Sequence, residues 1–290
     1  MKSVFRQNVT GWLLLLPSLI LFSYIIWRPI VLSVFYSFFD LQGFTPTRFV
    51  GFKNYIDVLT DSLLVQALWN TLRFVLWSLV ISFPVPIIVA FMLNEMLHGK
   101  EIFKFSLFFP SVLPGMAISL IWALMYDPGQ GGLMNTLLYY LGMQPFEWLQ
   151  NKKFVIPLMQ VAMAWGGIGS TALIYISAMQ GIDNELYEAA RIDGAGFFRR
   201  MQVVLMPHIS GMLLVMLVRH IIGTCQILEE PLLMTGGGPN NASMTMGLQM
   251  YRYAFIYFQT DKALAYGGIM FVLLMILTVG YHRLDKKIND

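Results

Sequence analysis

Charge is what this 290-residue chain has least of. Only 12% of its residues are Asp, Glu, Lys or Arg, against about a quarter in ordinary soluble domains. Together with 57% hydrophobic residues and a mean hydropathy of +0.64, that scarcity excludes a water-soluble enzyme of this size. Cysteine is nearly absent. The single Cys225 allows no intramolecular disulfide, no zinc site of the CxxC type and no haem attachment, so loops outside the membrane must be held by packing. A net charge of +3 is too weak and too dispersed for a nucleic-acid surface, and no nucleic-acid partner is expected. No facing pair of Asp, no Ser with His and no HExxH stands in the apolar stretches, which argues against an intramembrane transferase or protease. His208 and His220 have no carboxylate or cysteine at ligand spacing, so no metal site is expected. A GxxxxGK[ST] phosphate loop is missing too: Gly99-Lys100-Glu101 lacks the preceding glycine.

What is present is a series of long uncharged intervals. Each crossing of the hydrocarbon core needs about 20 apolar residues, and six fit, at about 12–36, 70–94, 105–126, 154–180, 205–230 and 263–283, within one domain covering 1–290. The expected fold is an all-α integral membrane protein with six transmembrane helices. Trp12 to Trp27 is longer than a usual signal-peptide core and no small-x-small cleavage site follows, so it is taken as a retained anchor. Pro128 to Phe146 and Pro231 to Tyr251 are also uncharged, but their Gly and Pro clusters leave backbone groups that lipid cannot satisfy. They are expected to be short helices or loops at the outer surface. Pro17, Pro84 and Pro86 remove backbone donors and should kink the first two spans.

The few cations set the orientation. Lys2, Arg6, Lys100, Lys104, Arg191, Arg199, Arg200, Arg283, Lys286 and Lys287 fall in short segments on the N-terminal side, while Arg48, Lys53, Lys152, Lys153, Arg252 and Lys262 fall in longer ones opposite. The positive-inside rule then places both termini in the cytoplasm. Trp69 and Trp148 fall near the outer boundary.

The stretch from Gly181 to His208 joins the fourth and fifth spans on that cytoplasmic side. Helix formers run from Leu186 to Ile192, and Gly194 and Gly196 break the helix that follows from them. On composition alone this is an interfacial helix connecting two spans. Its residues Glu188-Ala189-Ala190, Asp193-Gly194-Ala195 and Val204-x-Met206-Pro207 also resemble, in order and spacing, the EAA loop of the inner-membrane permease subunits of binding-protein-dependent ABC transporters. Val204 and Met206 replace the usual Ile and Leu. The resemblance implies a type I ABC importer permease fold, in which the loop at about 181–204 is the coupling helix that docks on a cytoplasmic ATPase subunit. Leu186, Glu188, Ala189, Ala190, Asp193 and Gly194 would carry that contact.

A second likeness narrows the branch. Thr235-Gly236-Gly237-Gly238-Pro239, preceded by Gln226 and Glu229 and followed by Tyr251 and Ala254-Phe255, is similar to the fifth-span exit of carbohydrate permeases of the maltose type, where Phe-Asp usually stands in place of Leu228-Glu229. What this implies is ATP-driven import of a carbohydrate, an oligosaccharide in such systems, into a bacterium through its plasma membrane. The implied partners are a second, homologous permease subunit, two cytoplasmic ATPase subunits holding ATP and Mg, an extracytoplasmic solute-binding protein and membrane lipid. This chain would bind no cofactor itself. Outer loops at Asp40 to Trp69 and Gly236 to Tyr253 would meet the binding protein.

Sugar sites need hydrogen-bonding groups and aromatic faces in a preformed pocket. Trp165, Gly167 and Ser170 in the fourth span, and Gly223, Thr224, Ile227 and Glu229 in the fifth, are the candidates by that resemblance. Gly166, Gly167 and Gly169 could instead form a small-residue packing surface, and Glu229 and Glu230 could simply reach the outer interface. A permease for a non-sugar solute, or a secondary transporter driven by an ion gradient, are the alternatives.

Overall fold

A computed structural model describes residues 2–96, 98–129 and 131–289. In chain order it runs α1 (Lys2–Phe22), α2 (Arg28–Tyr36), β1 (Phe39–Gln42), β2 (Thr45–Phe49), α3 (Lys53–Leu59), α4 (Ser62–Val80), α5 (Pro84–Glu95), α6 (Lys100–Val112), α7 (Gly115–Met125), α8 (Leu133–Tyr140), α9 (Val155–Met179), α10 (Asn184–Ile192), α11 (Phe197–Arg200), α12 (Met206–Cys225), α13 (Met246–Tyr251) and α14 (Thr260–Asn289). Four π-helical turns, at Ser23–Trp27, Met201–Leu205, Pro231–Thr235 and Arg252–Ile256, interrupt or extend these helices. Two compact units result, one holding the chain up to Asp61 with Met250–Leu277, the other Ser62–Gln249 with the residues from Thr278 on.

Proline explains two of the π turns. Pro29 and Pro207 have no N–H to return to the carbonyl four residues back. The ladder widens just before each, with Arg28 N–H bonding Ser23 O and Met206 N–H bonding Met201 O, five residues apart. Pro84 has a sharper effect, because α4 stops at Val80 and a three-residue turn precedes α5. By contrast, α1 continues through Pro17.

Helices long and apolar enough to cross a membrane occupy Gly11–Tyr36, Val155–Met179 and Thr260–Tyr281, where the first, fourth and sixth spans are expected. Three boundaries change. The second span's helix starts at Ser62 rather than near 70 and continues to Glu95, since Asp61-Ser62 is a helix-start signal followed by apolar residues. The third span, expected as one crossing at 105–126, is two helices bent by 98° between Val112 and Gly115. There Pro114 lacks a donor, Leu113 and Pro114 are extended, and Gly115 opens a new helix. The fifth runs from Phe197 to Cys225 instead of 205–230, so Glu229 and Glu230 lie beyond its end and Arg219 shares no helix with them. The two uncharged Gly/Pro-rich stretches hold only short helices, as their composition requires.

In the first unit, β1 and β2 form an antiparallel hairpin across Gly43, whose φ of +62° suits glycine. Asn54 Nδ2 donates to Ser37 O and Phe39 O at 3.0 and 2.9 Å, and Tyr253 donates through its hydroxyl to Asp61 at 2.8 Å. This strand pair is an addition to the all-helical expectation.

In the second unit α9 is the central helix, packing on α4, α5, α6 and α7. Gln160, fully buried on α9, donates to Phe74 O at 3.1 Å and accepts from Ser82 Oγ at 2.7 Å. It thereby ties α9 to the break between α4 and α5. The loop after the fifth span is held the same way: Asn70 Nδ2 donates to Asn241 O (2.7 Å) and Met244 O (3.0 Å), and Thr71 Oγ1 accepts from Met246 N–H (3.1 Å). Replacing Asn70 by Leu keeps the volume but removes its bond to Met244 O, at about 1–3 kcal/mol, and one of the bonds to Asn241 O, which still accepts from Gln66 Nε2 and Met244 N–H. Asn70→Leu is therefore predicted to lower the thermal unfolding midpoint in detergent by several degrees, with Thr71→Val giving a smaller drop.

Candidate functional site

The segment between α9 and α12 is built on one aspartate cap and one glycine turn. Asp183 is extended and its carboxylate accepts from Glu185 N–H at 3.0 Å, which starts α10. Gly194 then takes a φ of +74°, a left-handed conformation that only glycine adopts without strain. Ala195 N–H bonds Ala190 O across the turn, closing the end of α10. Tyr187 and Ile182 are buried, with Ala190 packed beside them, against Phe91, Phe197, Val204 and Leu205. Burial first, and then the charge of Glu95, push the Tyr187 phenol above its usual range, so it is neutral at cellular pH. The opposite face holds Leu186, Glu188, Ala189, Ile192 and Asp193, all exposed. Five of the six residues proposed for ATPase contact thus share an open surface or its end, counting Gly194, while Ala190 is turned partly inward.

A residue that the sequence reading passed over holds this segment in place. Glu95, the last residue of α5, accepts from Arg200 Nη2 at 2.5 Å and Nε at 3.3 Å and from Arg191 Nη2 at 3.1 Å. Arg200 Nη1 also donates to Ala195 O at 2.7 Å. The Glu95 and Arg200 side chains are only 13% and 14% exposed. One carboxylate therefore fastens the end of the second span to α10, to the glycine turn and to the start of the fifth span. Its signal was a lone acid closing a long apolar interval with two downstream arginines, but nothing local links them.

The second feature is a cavity of about 470 Å³ among α5, α9 and α12. Gly167 and Thr171 of α9, Arg219, Gly223 and Thr224 of α12, and Ser82 and Phe83 at the α4–α5 break all line it. Broken helices belong at such sites, because irregular backbone inside a membrane needs a protein or aqueous surround. Of the residues proposed for substrate, Gly167, Gly223 and Thr224 meet here; Trp165, Ser170, Ile227 and Glu229 do not line it. Trp165 stacks edge-on against Trp122 at 6.0 Å. Ser170 donates through its hydroxyl to Gly167 O at 3.3 Å. Ile227 is core, 5% exposed, and its carbonyl accepts from Thr245 Oγ1 at 2.9 Å. Glu229 is exposed and its carboxylate lies against Gly115, at the first turn of α7, where the helix dipole favours an anion.

The glycines of α9 divide between the two roles left open by the sequence. A Cβ on Gly169 would lie 2.3 Å from Leu107 O, and one on Gly166 would lie 2.7 Å from Ile118, so both allow neighbouring helices to approach. Ser111 of α6 seals that contact by donating to Gly166 O at 2.8 Å. A Cβ on Gly167 or Gly223 would meet nothing within 4 Å. Those two leave space.

Residues 8–290 match the family described as binding-protein-dependent transport system inner membrane component. The chain belongs to that family. This permease is therefore a multi-pass protein of the bacterial plasma membrane and a transport subunit rather than an enzyme. It is 30% identical over 287 residues to the probable ABC transporter permease protein YurN of Bacillus subtilis, covering 97% of this chain and 96% of that one. It is also 30% identical over 280 residues to the multiple sugar-binding transport system permease protein MsmF of Streptococcus mutans, covering 96% and 95%. Its fold is that of a chain in a bacterial ABC transporter involved in import of the acidic polysaccharide alginate, with a TM-score of 0.85, 20% identity and 99% of both chains covered.

Two measurements follow from this geometry. Glu95→Ala should raise amide hydrogen exchange across 184–200 by about tenfold or more, because it removes the charge-assisted bonds that Arg191 and Arg200 make to one carboxylate. Gly169→Leu should cost the permease its folded, monodisperse state in detergent, whereas Gly167→Leu should keep it, as judged by size-exclusion profile and thermal midpoint.

Proposed function

We propose that this permease forms half of the translocation pathway of an ATP-driven carbohydrate importer and receives the ATPase stroke through α10. The observation that carries the proposal is the clamp: an exposed helix, bearing the Glu188-Ala189-Ala190 and Asp193-Gly194 signature, fixed by Glu95 to the ends of two spans. A partner pressing on α10 would move those spans with it. The sugar assignment is supported by relatives named for sugar transport, MsmF among them, and by the cavity at the helix break.

In this reading a second, homologous permease completes the pathway, and two cytoplasmic ATPase subunits carry ATP and Mg. Both chain termini lie in the cytoplasm, with the α6–α7 pair counted as one crossing, and an extracytoplasmic binding protein delivers substrate to the outer loops. ATP binding would close the ATPase dimer and draw the paired α10 helices together, turning the cavity outward; hydrolysis would reset it. The nucleotide must favour one state for this to work. A rigid α10 is the element on which that preference would act.

Gly194 provides the test. A β-branched residue at a φ of +74° is strained by about 1–3 kcal/mol, so Gly194→Val should shift α10 while the spans still insert. In proteoliposomes containing the complete importer, Gly194→Val is predicted to cut ATP-dependent uptake at least about tenfold with unchanged membrane insertion. Wild-type uptake by the variant, or uptake without ATPase subunits, would contradict the coupling role.

A further inference from the structure

The cavity contains a charge that a neutral sugar would not require. Arg219 is the lone ionised residue in the interval Met201 to Leu228, and charged groups within a span are costly unless they meet a partner or an aqueous path. Among the described residues it forms no ion pair. No Asp or Glu lines the cavity with it. Met216, Arg219 and Gly223 follow one another at helical spacing along the lining face of α12, as Gly167, Thr171 and Tyr175 do on α9. Gly223 and Gly167 leave the space beside this face open.

Other polar groups of the wall are closed to this space or already occupied. The Tyr175 hydroxyl and His220 Nε2 are buried and sealed from the open volume. Ser82 donates to Gln160 and Thr224 donates to His220 O. Arg219, an exposed residue, is the charged group of the lining left open to a ligand.

We propose that the cavity takes an acidic oligosaccharide, with Arg219 forking a sugar carboxylate. A guanidinium matches a carboxylate with two parallel N–H bonds, and the lining carries no acid to compete for it. The inference rests on the carbohydrate-importer reading and names the substrate class for the same site.

The test uses the complete importer in proteoliposomes, with tetragalacturonate and tetramannuronate as anionic probes and maltotetraose and cellotetraose as neutral ones. Wild type should accumulate a uronate. Arg219→Gln should lower that uptake about tenfold or more, the scale of a lost charged hydrogen-bond pair, with the subunits still co-purifying and ATP still hydrolysed; Arg219→Lys should recover part. Uptake of the neutral probes alone, or uronate uptake indifferent to Arg219→Gln, overturns the proposal. Loss of the second permease from Arg219→Gln preparations also overturns it, by showing that the arginine pairs with that subunit. If the assembled, ATP-hydrolysing complex moves none of the four probes, the carbohydrate reading fails and this inference falls with it.

Discussion

A single carboxylate organises the end of the second unit that carries α10. Exposed ion pairs contribute about 0–1 kcal/mol, and the outer arginine, Arg191, is of that kind, with its side chain 48% exposed. Glu95 and Arg200 are different. Both are partly buried, and the bonds between them are charge-assisted, worth about 1.5–3 kcal/mol each. The fork geometry, with Arg200 reaching both Glu95 oxygens and also Ala195 O, constrains direction as well as distance. Without it α10 would be tied to the membrane helices only by the apolar contacts of Tyr187, Ala190 and Phe197. Phe91 and Phe197, with ring centroids 4.7 Å apart, supply packing beneath the clamp but no fixed register.

The same economy of means operates along α9. On one face Gly166 and Gly169 bring α7 and α6 into contact; on another Gly167 leaves a gap that becomes cavity. Gln160 links this helix to the interrupted second span, so the break at 81–83 is supported rather than loose. The path and the clamp share α5, whose first turn lines the cavity through Pro86 and whose last residue is Glu95. Movement imposed at one end of a twelve-residue helix reaches the other without an intermediary, about 18 Å away at 1.5 Å per residue.

How far the sequence disclosed this depends on the range of each interaction. Spans were legible because charge is costly in lipid wherever it falls, and α10 was legible because its start, its helix formers and its glycine stop are neighbours in the chain. The bend between α6 and α7 escaped a hydropathy count, which cannot register backbone direction, although Pro114-Gly115 marks the place. Glu95 escaped because its arginines lie 96 and 105 residues away. Trp165 and Ile227 were chosen by position in a likeness, and in the folded chain their side chains pack inside the core or against another ring. Arg219 was visible throughout as the one cation of its interval; only the fold showed that it faces a cavity free of acids.

α10 should move with the ends of the second and fifth spans as one body. Spin labels at Met92→Cys on α5 and Ile192→Cys on α10, both on exposed positions, allow that claim to be tested by electron–electron double resonance in the complete importer. With Glu95 intact, the separation should stay constant within about 1–2 Å, the scale of packed-helix adjustments, between nucleotide-free and ATP-bound states. A nucleotide-dependent change of several ångströms between these two labels would show that α10 moves independently, and would contradict the account.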